Sequence, residues 1–106
     1  WQATGVILEV GDSVTVEYID GQWSTAPDWD LTGLYGYPGH PSANFTLPYA
    51  ELMILIGKIG DTPPFIVTGQ MDFAASYDGE LWLAANDDNY WDNSGSITVK
   101  ITAPPR

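Results

Sequence analysis

Apolar residues recur at every second position in this chain, in short segments separated by Gly, Asp and Pro. Val14, Val16 and Tyr18 alternate with Thr15 and Glu17, and Ile97, Val99 and Ile101 alternate with Thr98 and Lys100. A period of two puts one set of side chains on one face of a strand. No segment keeps a helical period over a useful length. Strands are therefore expected over residues 5–10, 14–18, 49–57, 65–75 with a kink at Gly69, 80–85 and 96–102. Asp20-Gly21 is expected to end the second, and Asp78-Gly79 gives a hairpin-type signal. Strands and turns at this spacing point to an all-β chain folded as a β-sandwich. Val14, Val16, Leu55, Phe65, Phe73, Leu81, Leu83, Val99 and Ile101 are the expected core.

The chain of 106 residues has room for one core. A single domain is expected over residues 1–103, with residues 104–106 a linker or trimmed end, and a start at Trp1 fits a processed or excised segment. The absence of cysteine excludes disulfides, thiol chemistry and Cys-based zinc sites, and a single histidine, His40, excludes a multi-His site. The longest apolar run, residues 52–56, is far too short to span a bilayer as a helix, so no membrane insertion is expected. Three basic residues stand against fourteen acidic ones, a net charge of −11. No basic patch can neutralise phosphate, which argues against nucleic acid as a partner and favours cations and neutral ligands.

Residues 23–48 are punctuated by Pro27, Gly33, Gly36, Pro38, Gly39, Pro41 and Pro48 and hold no long regular element. A long irregular loop in a small domain is usually functional. The chain also has five Trp and six Tyr, several of them in such stretches, and loop aromatics offer stacking faces for ligands.

The densest chemistry lies over residues 86–93, where three Asp and three Asn fill six of eight positions. Calcium takes six to eight hard oxygen ligands, which carboxylates, amides and carbonyls on one flexible loop can supply. Close carboxylates repel one another without a cation. The EF-hand pattern does not fit, because no glutamate stands at the twelfth position and the flanks read as strands. The other reading of these residues is a solvated turn built from good turn formers.

At this loop the sequence becomes recognisable. Gly79-Glu80-Leu81-Trp82-Leu83-Ala84-Ala85-Asn86-Asp87, followed by Asp92-Asn93-Ser94-Gly95-Ser96-Ile97-Thr98-Val99-Lys100-Ile101, resembles the PA-IL-like family of calcium-dependent, galactose-binding bacterial lectins. Leu55-Ile56-Gly57-Lys58-Ile59-Gly60, Trp1 with Gly5-Val6, Gly11-Asp12-Ser13-Val14 and Gly21-Gln22-Trp23 extend the resemblance over most of the chain. It implies a jelly-roll β-sandwich of two antiparallel sheets, galactose-binding-domain-like, with one calcium at one end. The metal ligands it implies are Asp87, the pair Asp92 and Asn93, and the main-chain carbonyls of Asn89 and Ala26. The sugar contacts it implies are His40 with Pro41, together with Asp87 and Asn93, while Tyr37 and Trp91 offer stacking surfaces. The chain departs from the family at Ala43, where a sugar-contacting glutamine is usual, at Ala26, where a tyrosine donates the carbonyl, and in a metal loop about two residues shorter.

The expected function is that of a non-catalytic, calcium-dependent carbohydrate-binding domain, a lectin or a carbohydrate-binding module of a secreted bacterial protein. Galactosides or related glycans are the expected partners, with other domains of a larger protein alongside. A glycosidase needs two carboxylates across a cleft, and so small a chain leaves little scaffold for one. The alternative is an interaction domain in which the calcium is purely structural.

Overall fold

The computed structural model describes residues 1–40, 42–87 and 93–105. These residues form eight strands: β1 (Gln2–Leu8), β2 (Ser13–Ser24), β3 (Tyr35–Tyr37), β4 (Leu52–Ile59), β5 (Phe65–Ile66), β6 (Gln70–Ala74), β7 (Gly79–Ala85) and β8 (Ser94–Thr102). All pairings between them are antiparallel. One sheet has the order β1-β7-β4, with β3 and β5 following one another along the far side of β4, and the other has the order β6-β2-β8. The chain shuttles between the sheets, with β1, β3, β4, β5 and β7 in the first and β2, β6 and β8 in the second. This is the two-sheet antiparallel sandwich that the alternating pattern predicts.

The core lies between the sheets. Leu8, Leu55, Ile59 and Leu81 of the first sheet meet Val14 and Val16 of the second, all of them buried. Val14, Val16, Leu55 and Leu81 were legible as core, whereas Phe65, Phe73, Leu83, Val99 and Ile101 pack against the cluster while staying partly exposed. Four of these five lie on β5, β6 and β8, which flank their sheets, so their inward faces reach the open margin. β4 is central, as its continuous apolar run requires.

Several local expectations change; the strand expected over residues 49–57, for one, is Leu52–Ile59. β2 does not end at Asp20-Gly21: the pairing with β8 shifts between Tyr18 and Asp20, and the strand runs on to Ser24. Gly21 makes this possible, because it has φ +108° and a Cβ there would sit 2.2 Å from the Ser96 carbonyl oxygen. Residues 65–75 are not one kinked strand. Beyond β5, Val67 turns fully inward and its N–H donates to the Leu55 carbonyl, and the chain then crosses to β6 in the other sheet. Asp78-Gly79 closes no hairpin, because β6 and β7 belong to different sheets; the Asp78 carboxylate instead accepts the Val10 N–H at 2.8 Å.

The extension of β2 also brings two distant loops together. It pairs Trp23 and Ser24 with Gly95 and Ser94, and so carries the start of the long loop to the exit of the acidic loop.

Candidate functional site

The acidic loop leaves β7 through Asn86 and Asp87 and returns at Asn93 into β8. Both of its ends are pinned by two neighbouring residues. The Thr25 hydroxyl donates to Asp87 Oδ2 at 2.8 Å, and the Ser24 hydroxyl hydrogen-bonds to that of Ser94 at 3.0 Å. Ser24, Thr25 and Asp87 are all buried. Asp87 is only 3% exposed, and a carboxylate in such a place needs hydrogen bonds or a cation to offset lost hydration. The Asp87 main-chain carbonyl accepts the N–H and the hydroxyl of Thr46, both at 3.2 Å.

Beside Ser94, Asn93 brings a side-chain oxygen that is buried and has no hydrogen-bond partner among the described residues. Buried oxygens without partners are rare, and a cation or an ordered water is the usual complement. Asn93 precedes Ser94, which bonds to Ser24, and the Asp87 carboxylate bonds to Thr25, so the residues at the two ends of the loop attach to consecutive positions of the chain. Asn93 Oδ1 and the Asp87 carboxylate are both hard oxygen donors of the kind calcium takes, two of the six to eight that it needs.

From Thr25 the site continues into the long loop. The Thr25 N–H donates to the Tyr37 hydroxyl, which in turn donates to the Asp30 carbonyl. Burial pushes the Tyr37 hydroxyl above the ordinary tyrosine range; the Thr25 N–H opposes this shift, and the Asp30 carboxylate adds to it. Tyr37 is therefore a neutral donor at physiological pH. Its ring stands edge-on to Trp29 at 4.9 Å between centroids, and Trp29 stands edge-on to His40 at 5.2 Å. His40 is exposed, and its main-chain N–H donates to the Glu51 carboxylate at 3.0 Å. Trp29 keeps 37% of its surface exposed, so part of its indole remains open to solvent.

Tyr37 reaches this place because β3 pairs with β4, Tyr37 opposite Leu52 and Tyr35 opposite Ile54. Gly36 between them has φ +71°, and a Cβ there would lie 2.1 Å from the Leu52 carbonyl oxygen. Only glycine lets the two backbones approach this closely.

The residues singled out from the sequence fall as follows. Asp87, Asn93, Tyr37 and His40 are joined through residues 24–30 by the contacts above. The Ala26 carbonyl also lies there, but it already accepts the Ser24 hydroxyl at 3.3 Å and the Trp29 N–H at 3.1 Å. To serve a metal it would have to release one of these. Asn89, Asp92, Pro41 and Trp91 lie outside the described residues. Among the described residues no three His, Cys, Asp or Glu side chains form a cluster.

Sequence reasoning did not single out Ser24, Thr25 or Trp29. Small hydroxyl residues carry no spacing signal, and Trp29 differs from the other loop aromatics only in its place in the fold. Asn86, counted among the oxygen-rich residues of the acidic loop, is fully buried and its carboxamide is bonded to residues 47–51.

A sizeable cleft lies elsewhere among the described residues. About 510 Å³ opens between β1 and β7 on one side and β8 on the other, lined by Trp1, Trp23, Leu83, Val99 and Ile101 among others. It holds no ionisable side chain and is separate from Asp87 and His40.

No family model matches the chain, and no curated protein matches it.

Proposed function

We propose that this chain is a non-catalytic, calcium-dependent carbohydrate-binding domain whose ligand sits over Asp87, Asn93, Trp29 and His40. One observation carries the reading: the two ends of the acidic loop are tied to Ser24 and Thr25, one end bringing the buried Asp87 carboxylate and the other Asn93, whose buried amide oxygen has no partner among the described residues.

Asp87 and Asn93 would hold the calcium, with Asn89, Asp92 and the Ala26 carbonyl as the further ligands that the lectin resemblance implies. Calcium, when bound, supplies open coordination positions at which two vicinal sugar hydroxyls replace water. The protein does the rest. Asp87 accepts hydrogen bonds from the same hydroxyls, and the Asn93 amide can donate to them. His40 reaches a neighbouring hydroxyl. The exposed part of Trp29, braced by Tyr37, would cover the apolar C–H face of a sugar ring.

A preformed site matters because sugar hydroxyls are already well satisfied in water, and reordering the protein would consume the small net gain. The contacts among Thr25, Tyr37, Trp29 and His40 hold the long loop before any ligand arrives. Galactosides are the first candidates, and a secreted module working in millimolar calcium is the setting the reading favours. The test is calorimetric titration with calcium, and then with methyl galactoside at saturating calcium. Binding in both steps supports the reading. Calcium binding without any response to galactosides or to a broad glycan panel leaves a purely structural metal instead.

A further inference from the structure

Asn86 is completely buried and lies next to Asp87 in the chain. Its carboxamide is saturated by the loop over residues 47–51. Oδ1 accepts the Leu47 N–H at 2.7 Å, and Nδ2 points at the carbonyls of Leu47, Ala50 and Glu51 at 3.0, 3.2 and 3.2 Å. Its main chain holds β4 as well, since the Met53 N–H donates to the Asn86 carbonyl at 2.6 Å and the Asn86 N–H donates to the Ile54 carbonyl at 2.9 Å. Together with the Thr46 bonds to the Asp87 carbonyl, two consecutive residues thus anchor residues 46–54.

That segment needs an anchor. Tyr49 and Met53 adopt φ +64° and +63°, left-handed conformations that side chains other than glycine rarely take. Strained backbone of this kind persists only where its surroundings over-determine it. Here the surroundings are Asn86 and, at Met53, the Trp23 indole N–H donating to the Met53 carbonyl at 3.1 Å.

The same loop reaches the sugar side of the site. Glu51 offers its main-chain carbonyl to Asn86 and its carboxylate to the His40 N–H. Two residues, Asn86 and Glu51, therefore separate the metal-side carboxylate from the sugar-side histidine.

We propose that Asn86, acting through Glu51, is a positioning residue that couples cation occupancy at Asp87 to the placement of His40, so that calcium at one end and sugar at the other reinforce one preformed arrangement. This rests on the calcium and carbohydrate reading above. A cation that damps the motion of the Asp87 main chain also damps Asn86 beside it and, through Glu51, the His40 backbone, which leaves less residual motion for the sugar to quench. Calcium and sugar then tighten each other's binding by the same factor. Neither Asn86 nor Glu51 needs to touch either ligand.

The test combines amide NMR with two variants of the whole chain. In the wild type, calcium alone should shift the amide signals of residues 42–51 before any sugar is added. Glu51→Ala, at a half-exposed position, should leave calcium affinity within about twofold and weaken methyl galactoside roughly fivefold, the size of one lost hydrogen bond. In that background His40→Ala should weaken sugar binding less than it does in the wild type. Asn86→Ser should weaken the calcium response of the 42–51 amides; should this variant fail to fold, the Glu51→Ala cycle decides alone. Calcium binding that leaves those amides unmoved, or full additivity of Glu51→Ala and His40→Ala, overturns the coupling and leaves the calcium reading standing. No calcium binding at all removes both.

Discussion

The Thr25 hydroxyl donates to the Asp87 carboxylate at 2.8 Å, with both residues buried, and this bond joins the start of the long loop to the start of the acidic loop. The two segments are 62 residues apart in the chain. They meet because β2 continues past its bulge to Ser24 and pairs with the first residue of β8. Thr25→Val keeps the shape and deletes the donor, leaving a buried carboxylate short of a partner. A hydrogen bond to a charged group is worth about 1.5–3 kcal/mol, and the stability of the apo protein in urea should fall by about that amount. Thr25→Ser should recover most of it. An unchanged midpoint for Thr25→Val would show that Asp87 does not depend on this bond.

Gly36→Ala tests how Tyr37 is placed. The new methyl would sit 2.1 Å from the Leu52 carbonyl oxygen, on a backbone at φ +71°. Flexible side-chain ends cannot relieve the clash, because the atoms met are main chain of β4. A loss of at least about 2 kcal/mol is expected, together with a change in the near-ultraviolet signal of the Tyr37 and Trp29 pair. A variant as stable as the wild type would mean that β3 can leave β4 without consequence.

The Tyr37 hydroxyl gives a pH dependence whose sign follows from its environment. Burial raises its ionisation above the usual value near 10. The folded state therefore holds this proton more tightly than the unfolded chain. The stabilisation is complete below pH 10 and is lost as pH rises through the folded pKa. Alkaline denaturation should be shallower in Tyr37→Phe than in the wild type over that range. Equal slopes would show that Tyr37 ionises as freely in the fold as in the unfolded chain.

His40 is predicted to separate sugar from metal. His40→Ala should weaken methyl galactoside roughly fivefold to tenfold, as expected for one lost contact, and leave calcium affinity at the wild-type value. A galactoside affinity that does not change would remove His40 from the site.

Much of the fold was legible because its longest strands are half-buried. In β2 and β8 the alternation of Val14, Val16 and Tyr18, or of Ile97, Val99 and Ile101, reports the sheet face directly. β4 was legible for the opposite reason, since an unbroken apolar run suits a strand covered on both faces. β3 was not legible, because Tyr35-Gly36-Tyr37 is a strand only through Gly36 lying on the β4 backbone, which is a tertiary fact. The break expected at Asp20-Gly21 followed from turn chemistry, and the pairing with β8 absorbed it as a bulge. At the site, the acidic loop announced itself by composition, and His40 stood out as the only histidine. Thr25 and Asn86 did not, since a hydroxyl and an amide acquire their roles from burial and partners. Asn86 reads in sequence as one more oxygen donor, yet its carboxamide is bonded to residues 47–51.

The most direct test of the account is a thermal melt of the whole chain in EDTA, in calcium, and in calcium with methyl galactoside or a glycan panel. A ligand that binds only the folded state at a hundred times its Kd adds about 2.7 kcal/mol, several degrees for a domain of this size. The account predicts one upward shift on adding calcium and a second on adding sugar, with the second absent in EDTA. A melting temperature that is the same in EDTA and in calcium would contradict it.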